Sequence, residues 1–220
     1  DTELSTIYVP GTPPMFKKPD SPIALGQDTG SHYVDQHAVK FRQHQFEPAF
    51  QAIAVRNPSK RFDDIDIVIN RGSMSTLLQF SKGLTSPAFT MTLHTIGKTL
   101  IIGRMVKKGQ VGSAVGSYGR NFETAWTQQM EPDLQDADGH HRVIQYKLGD
   151  LEVVVRHEAD AYIPDGAPEN EVLLLAAPLG STIQHTSPHP TSVIRAGRFI
   201  PQDRVMELKS NAKSRPVEQM

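Results

Sequence analysis

Two short acidic motifs follow apolar, strand-like runs in the second half of the chain. Glu158 and Asp160 come shortly after the run Val153-Val154-Val155, and Glu207 is followed two residues later by Lys209. Residues at positions i and i+2 of a strand face the same side, so each motif can present two charged groups to one point in space. Together the motifs supply three carboxylates and one amine at a sheet edge.

That combination of side chains is what metal-dependent phosphodiester hydrolysis requires. Carboxylate oxygens are the hard ligands that Mg²⁺ and Mn²⁺ prefer. Such a cation activates water and stabilises charge on the phosphate, while Lys209 can orient the attacking water or offset that charge. Each motif taken alone is equally typical of a solvated strand face, where an exposed pair such as Glu207 and Lys209 contributes at most about 1 kcal/mol.

A further carboxylate comes from a predicted helix that begins near Ser117 and runs to about Met130. Tyr118, Phe122 and Trp126 recur in it at intervals of four residues and form one apolar face. Glu123 lies next to that face and can project toward the sheet. The ordered set of a helix glutamate, a Glu-x-Asp strand and a Glu-x-Lys strand is more specific than any one of its members.

In their order and in their amino-acid sequences, these three motifs resemble those of a known nuclease family. Gly119-Arg120-Asn121-Phe122-Glu123, Glu158-Ala159-Asp160 and Glu207-Leu208-Lys209 are similar to the glycine-to-glutamate, Glu-x-Asp and Glu-x-Lys motifs of the DXO-type decapping exonucleases. That family belongs to the PD-(D/E)XK nuclease superfamily, and the resemblance covers the three motifs and their order. It implies an α+β fold with a mixed, largely antiparallel central sheet flanked by helices.

The resemblance also implies a role for each motif residue, with Mg²⁺ or Mn²⁺ as the cofactor. Glu158 would bind a second cation or a water held by the first, and Lys209 would position the attacking water. Asp160 and Glu207 complete the expected catalytic set. The implied metal ligands are three carboxylates and one backbone carbonyl: Glu123, Asp160, Glu207 and Leu208.

Two arginines on predicted strands are candidates for phosphate binding. Arg104 follows Ile101-Ile102-Gly103, and Arg156 directly follows the apolar run that leads to Glu158. Between Arg195 and Arg215 six Lys or Arg residues stand against two acids, a local net charge of +4 that suits a phosphate chain and equally a solvated tail. The implied partners are RNA, 5′-capped or 5′-triphosphorylated, and a partner exoribonuclease.

A second resemblance covers most of the chain, from about Val9 to Lys213. The sequence from His140 to Tyr146 and on through Ala161-Tyr162 is similar to the sequences of a group of fungal proteins often labelled geranylgeranyl pyrophosphate synthetase. A prenyl-diphosphate synthase places two aspartate-rich motifs on facing helices. This chain has one such cluster, Asp63-Asp64-Ile65-Asp66, which we interpret as the solvated start of a strand.

Two departures from the DXO-type pattern leave a second function open. Glu207 lies 47 positions after Asp160, and the Pro-rich segment from Pro178 to Pro201 is expected to be an insertion over the site. The family also has a glutamine on a helix well after the lysine, whereas only 11 residues follow Lys209 here. The alternative is therefore a catalytically inactive protein of the same fold that acts as an RNA-binding or protein-binding scaffold.

The elements that must position these residues follow from periodicity and turn signals. We expect residues 1–30 to form an extended Pro/Gly-rich arm and residues 31–220 to form a single nuclease-like domain, either truncated at its C-terminus or with an incomplete site. Alternating hydrophobicity predicts strands at Ile65–Ile69, Phe89–Ile96, Thr99–Val106, His141–Leu148, Leu151–Ala159, Val172–Ala177 and Val205–Leu208. Helices are predicted from Phe46 to Ala54 and from Gly72 to Phe80.

Composition narrows the class of protein without choosing its function. The 220 residues carry a formal net charge of −1, so no global field draws the chain to nucleic acid or membrane. The absence of cysteine excludes a disulfide scaffold, a thiolate metal site and a cysteine nucleophile. No apolar run approaches the roughly 18 residues that span a bilayer. We expect an intracellular protein, nuclear or cytoplasmic, with no membrane partner.

Overall fold

The computed structural model describes residues 5–33, 44–84, 88–104, 110–113, 116–164, 183–184 and 191–210. Three α-helices lie within these residues: α1 Glu47–Arg56, α2 Arg71–Ser81 and α3 Gly119–Trp126. The same residues contain the strands β1 Ser5–Pro10, β2 Met15–Phe16, β3 Ser31–Tyr33, β4 Ile67–Asn70, β5 Met91–Ile96, β6 Thr99–Arg104, β7 Gln110–Gly112, β8 Thr127–Gln128, β9 His141–Leu148, β10 Leu151–Glu158, β11 Ala161–Tyr162, β12 Ile183–Gln184, β13 Thr191–Ala196 and β14 Val205–Met206.

The largest sheet has five strands in the order β5-β6-β4-β10-β9. Its three inner strands, β6, β4 and β10, run parallel, and each edge strand is joined to its neighbour as an antiparallel hairpin. The α+β class and the mixed sheet are therefore confirmed. The expectation of a largely antiparallel central sheet is corrected, because two of its four pairings are parallel. In the β4–β6 pair, α2 and β5 carry the chain from one strand to its parallel neighbour.

Two apolar clusters cover the two faces of this sheet. On one face Val154 packs with Phe46 next to α1, and on the other Val153 and Val155 pack with Leu77 of α2. A strand covered on both faces has no solvated side, which explains why β10 has a continuous run of valines instead of an alternating pattern. The helices α1 and α2 thus lie on opposite faces of the sheet.

The acidic cluster before β4 forms the solvated start of that strand. Asp63 and Asp64 pair with the nearby Arg61 and Lys60, at 2.6 and 3.4 Å. Asp66 joins neighbouring strands instead, since its carboxylate accepts a hydrogen bond from the backbone N–H of Glu152 at 2.9 Å. The cluster therefore has a structural arrangement of the kind that the sequence indicated.

The Pro/Gly-rich arm contributes strands to two sheets. β1 is an edge strand that pairs in parallel with β13, and β2 lies between β11 and β8. Val9 and Thr12 are buried. Because β13 belongs to the segment expected to be an insertion, the arm and that segment form one sheet together with β12. The predicted strand Val172–Ala177 lies outside the described residues.

A small four-stranded sheet, β14-β11-β2-β8, adjoins the end of β10. β14 is shorter than predicted, ending at Met206. It pairs antiparallel with β11 through Ala161 opposite Met206. In the described part of the chain, no helix combines the length and the apolar character needed to cross a bilayer.

Candidate functional site

The Glu-x-Asp and Glu-x-Lys motifs meet where the chain leaves β10 and enters the small sheet. Glu158 is the last residue of β10, and Asp160 directly precedes β11. Because β14 pairs antiparallel with β11, Glu207, which follows β14, lies next to Asp160, which precedes β11. The backbone N–H of Leu208 donates a hydrogen bond to the Asp160 carboxylate, with an N–Oδ2 distance of 2.7 Å. The two motifs are therefore physically joined.

Glu123, on helix α3, interacts electrostatically with the residues of this junction. Burial, together with the negative charges of Asp160 and Glu158, raises the pKa of the Glu123 carboxyl to about 7, with Lys209 acting in the opposite direction. Like charges close together disfavour ionisation. The structure thus brings Glu123, Glu158, Asp160 and Lys209 into one electrostatic cluster, which we call the carboxylate cluster.

Helix α3, which carries Glu123, is held by a residue of the N-terminal arm. The buried carboxylate of Asp28 accepts hydrogen bonds from the Ser117 hydroxyl at 2.6 Å and from the backbone N–H groups of Asn121 and Arg120 at 2.9 and 3.3 Å. The Ser117 hydrogen bond is the main reason why the pKa of Asp28 is lowered. Asp28 therefore caps the helix from a distant segment, a role that sequence reasoning missed because capping residues are sought locally.

Asp160 is half-buried between opposing influences. Burial raises the pKa of its carboxyl, the hydrogen bond from Leu208 lowers it, and the charge of Glu207 raises it again. The cations Lys209 and Arg71 oppose that rise. A carboxyl in this position gains from any further positive charge that approaches it.

Glu207 is paired with two cations. Its carboxylate accepts from the ammonium group of Lys209 and from Arg71, with an Nη2–Oε1 distance of 3.2 Å. Arg71 is the first residue of α2 and was not a candidate from the sequence, because its local pattern is an ordinary helix start. Only the position of α2 at the carboxyl end of β4 brings this arginine to Glu207, which lies 136 positions later.

His157 lies beside the same group of charges. Burial lowers the pKa of its imidazole, the cations Arg142 and Arg71 lower it further, and Glu207 raises it. A histidine with a lowered pKa is neutral at neutral pH, so it can donate one hydrogen bond and accept another. His157 is therefore a second residue at the site that the motifs did not single out.

Of the two predicted phosphate-binding arginines, Arg156 is deeply buried. Its guanidinium lies over the ring of Phe46, 5.7 Å from the ring centroid, and Nη1 donates to the backbone carbonyl of Gln45 at 3.3 Å. These contacts belong to the packing between β10 and the segment that precedes α1. The burial follows from the central place of β10 in the sheet, and it separates this side chain from solvent.

Arg104 lies at the end of β6, beside the first turn of α2. The side-chain amide of Gln45 forms hydrogen bonds with both backbone groups of Arg104. It accepts from the N–H at 2.8 Å and donates to the carbonyl at 2.6 Å. One guanidinium nitrogen, Nη1, is 3.4 Å from the place that a Cβ would occupy on Gly72. The side chain is thus directed to the amino end of the helix that begins with Arg71.

The carboxylate oxygens of the carboxylate cluster are of the chemical type that binds a hard divalent cation. Among the described residues no three His, Asp or Glu side chains are close enough to hold one ion. Mg²⁺ usually keeps several waters and takes only one or two carboxylates from the protein, so this spacing still suits it.

Comparison with known proteins identifies a family. No significant match to a curated protein is found for this sequence. Residues 1–220 match the family described as a domain of unknown function, DUF8563. Since the match extends over all 220 residues, the chain belongs to the DUF8563 family.

Proposed function

We propose that this protein is a metal-dependent nuclease that hydrolyses phosphodiester bonds at RNA 5′ ends. The observation that carries the proposal is the state of Glu123, whose pKa is raised to about 7 by burial and by the charges of Asp160 and Glu158. Carboxylates that raise one another's pKa are stabilised when a cation enters between them. Strongly shifted groups of this kind concentrate at functional sites.

A divalent cation, Mg²⁺ or Mn²⁺, would be bound directly by one or two of the carboxylates of Glu123, Asp160 and Glu207, and through its water ligands by the others and by the Leu208 carbonyl. It would supply Lewis-acid stabilisation of the charge that develops on the phosphate. The hydrogen bond from Leu208 fixes the orientation of the Asp160 carboxylate. That fixed orientation favours one arrangement of the ligands over several.

Two residues would act on water. The ammonium group of Lys209, bonded to Glu207, would donate a hydrogen bond to the attacking water and hold it beside the scissile phosphate. Glu158, at the end of β10, would accept a hydrogen bond from the same water or hold a second cation. Arg71 would hold Glu207 through the same carboxylate oxygen that Lys209 contacts. These roles correspond to those implied by the DXO-type motifs, on which the choice of RNA 5′ ends rests.

The same resemblance supports the remaining parts of the proposal. The protein would belong to the PD-(D/E)XK nuclease superfamily. Its substrate would be a 5′-capped or 5′-triphosphorylated RNA, and a partner exoribonuclease would degrade the product. RNA of that kind is found in the nucleus and the cytoplasm, so we propose either location.

A second candidate function is a catalytically inactive scaffold that binds RNA or protein. It is favoured by the pairing of Glu207 with both Lys209 and Arg71, since these cations already neutralise one of the expected ligands. Such a protein would bind RNA without cleaving it.

The experiment that separates the two is a cleavage assay on the full chain with Mn²⁺, with Mg²⁺ or with a chelator. Substrates are one RNA sequence with a 5′ cap, a 5′ triphosphate or a 5′ monophosphate. We expect cation-dependent cleavage that Asp160→Asn and Glu207→Ala abolish. The matched control is Asp64→Asn, an exposed carboxylate outside the cluster, which should cleave normally.

Circular dichroism and melting temperature establish that each variant is folded. Cleavage that survives both the chelator and Asp160→Asn would refute the nuclease proposal. RNA binding without cleavage under every cation condition would select the scaffold.

A further inference from the structure

The amino end of α2 has an arrangement that the proposed cleavage does not use. This helix of 11 residues begins directly after β4, at the carboxyl end of three parallel strands. Its N-cap residue, Asn70, is extended but makes no capping hydrogen bond through its side chain. The first backbone N–H groups of a helix lack intrahelical partners, so this turn presents donors that no side chain caps.

Two side chains of the same turn are buried without hydrogen-bond partners. Asn70 is 3% exposed, and neither its amide nitrogen nor its amide oxygen is paired. Ser73 is 1% exposed, and its hydroxyl is also unpaired. Buried polar groups are normally satisfied, and leaving one unpaired is costly. Three unpaired polar atoms in a single helix turn therefore indicate a partner that binds there.

The charge around this turn is positive. The Nη1 atom of Arg104 lies 3.4 Å from the position that a Cβ on Gly72 would occupy. Arg71 extends from the first position of the helix, and its opposing charge is Glu207 at 3.2 Å. The two guanidiniums and the helix dipole all favour a negatively charged partner.

We propose that the amino end of α2 is a binding site for a phosphate-type oxyanion. The Ser73 hydroxyl and the Asn70 amide nitrogen donate to its oxygens, and Arg104 and Arg71 neutralise its charge. The Asn70 amide oxygen accepts from a P–O–H group or from a water bound with the anion. Binding at this site requires neither a metal nor cleavage, so the inference goes beyond the proposed function.

The phosphate has two possible sources, free phosphate and a phosphate of a nucleic acid. Because Arg71 also contacts Glu207, a nucleic acid bound at the carboxylate cluster could place one of its phosphates at α2. That identification of the source, unlike the site itself, rests on the proposed function.

The test is calorimetric titration of the full chain with inorganic phosphate at fixed ionic strength, without divalent cations. We expect saturable binding that Arg104→Gln weakens at least tenfold. Lys82→Gln is the matched control, because it removes the same charge at the carboxyl end of the same helix, and it should bind as the unmodified chain does. Melting temperatures without phosphate show whether each variant is folded.

Ser73→Ala distinguishes a ligand site from a packing defect. Removal of an unpaired hydroxyl leaves the chain equally stable or more stable in the absence of phosphate, whereas phosphate binding should weaken at least threefold. Absence of phosphate binding would overturn the inference and leave buried water as the partner of these atoms. It would equally be overturned if Lys82→Gln weakened binding as much as Arg104→Gln.

A second titration with one RNA sequence, carrying either a 5′ phosphate or a 5′ hydroxyl, separates the sources. A preference for the 5′ phosphate that Arg104→Gln removes assigns the site to an RNA end. Equal affinity of both RNAs, with inorganic phosphate still bound, assigns it to free phosphate. Phosphate binding without any RNA cleavage would support this inference and refute the nuclease. Cleavage that depends on Asp160, without phosphate binding, would support the nuclease and refute this inference.

Discussion

The backbone N–H of Leu208 donates a hydrogen bond to the carboxylate of Asp160 over 2.7 Å. This contact joins the Glu-x-Asp and Glu-x-Lys motifs across 48 positions of sequence. It fixes the direction of a carboxylate that the proposed chemistry needs, and it pairs the backbone of a buried residue. Asp160 therefore has two roles, as the acceptor of a structural hydrogen bond and as a negative charge at the site. Two substitutions can separate these roles.

Asp160→Ala removes both the charge and the hydrogen-bond acceptor, whereas Asp160→Asn removes only the charge. The Ala variant leaves the Leu208 N–H unpaired, so we expect its free energy of unfolding to fall by about 1–3 kcal/mol. The Asn variant retains an acceptor oxygen and should lose less than about 1 kcal/mol. Urea unfolding measures both, and equal losses would show that the hydrogen bond contributes nothing.

The carboxyl of Glu123 makes stability depend on pH. Its pKa is about 7 in the folded chain against an ordinary value of 4.5, so between these pH values the folded state binds the proton that the unfolded state has lost. The free energy of unfolding therefore falls as pH rises through this window. In urea titrations from pH 4.5 to 8, Glu123→Gln should become progressively more stable than the unmodified chain.

Comparison with Glu123→Gln is needed because His140 acts in the opposite direction. Burial lowers the pKa of His140 to about 3 from 6.5, so this residue makes the folded chain more stable as pH rises from about 3 to 6.5. The difference between the variant and the unmodified chain cancels that contribution. A difference that stays constant with pH would contradict the raised pKa of Glu123.

Divalent cations should stabilise the chain, and more so at high pH. A cation competes with the proton of Glu123, so the rise in melting temperature with Mn²⁺ should be larger at pH 8 than at pH 5.5. Glu123→Gln and Asp160→Asn should each reduce that rise, while Asp64→Asn should leave it unchanged. A rise that is independent of pH and unaffected by these variants would place the cation elsewhere.

Asp28 should act on the site through helix α3. Asp28→Ala removes the acceptor of three hydrogen bonds at the start of that helix, so we expect a lower melting temperature and a smaller stabilisation by Mn²⁺. Asp28→Asn, which keeps one acceptor oxygen, should recover part of both. Asp20→Ala, an exposed arm residue, is the control. Normal Mn²⁺ stabilisation in Asp28→Ala would remove the positioning role.

The close approach of the arm to the end of β13 can be tested at Gly197. Its φ of +76° disfavours any side chain, and a Cβ there would lie 2.8 Å from the backbone carbon of Gly11. Gly149 has a φ of +61° but open space around it, so Gly149→Ala should cost only about 1–2 kcal/mol of backbone strain. Gly197→Ala should cost clearly more in urea unfolding, and an equal cost would mean that the arm yields.

Local patterns in the sequence determined the β9–β10 hairpin and the helix that carries Glu123. The hairpin was predicted at His141–Leu148 and Leu151–Ala159 and is found with the same turn, since alternation and the Gly149-Asp150 pair act between neighbours. Helix α3 is shorter at both ends than its apolar spacing indicated. The turn of the hairpin and the apolar spacing of α3 involve neighbours in the sequence, whereas the capping of α3 by Asp28 does not.

Tertiary structure alone decided what surrounds the acidic motifs. The parallel pairing of β4 and β10 places Arg71 and His157 near Glu207, and the docking of the arm places Asp28 on α3. The same pairing gives β10 two covered faces, which buries the side chain of Arg156. Strand order and register are set by the burial of both sheet faces at once, and no local spacing carries that information.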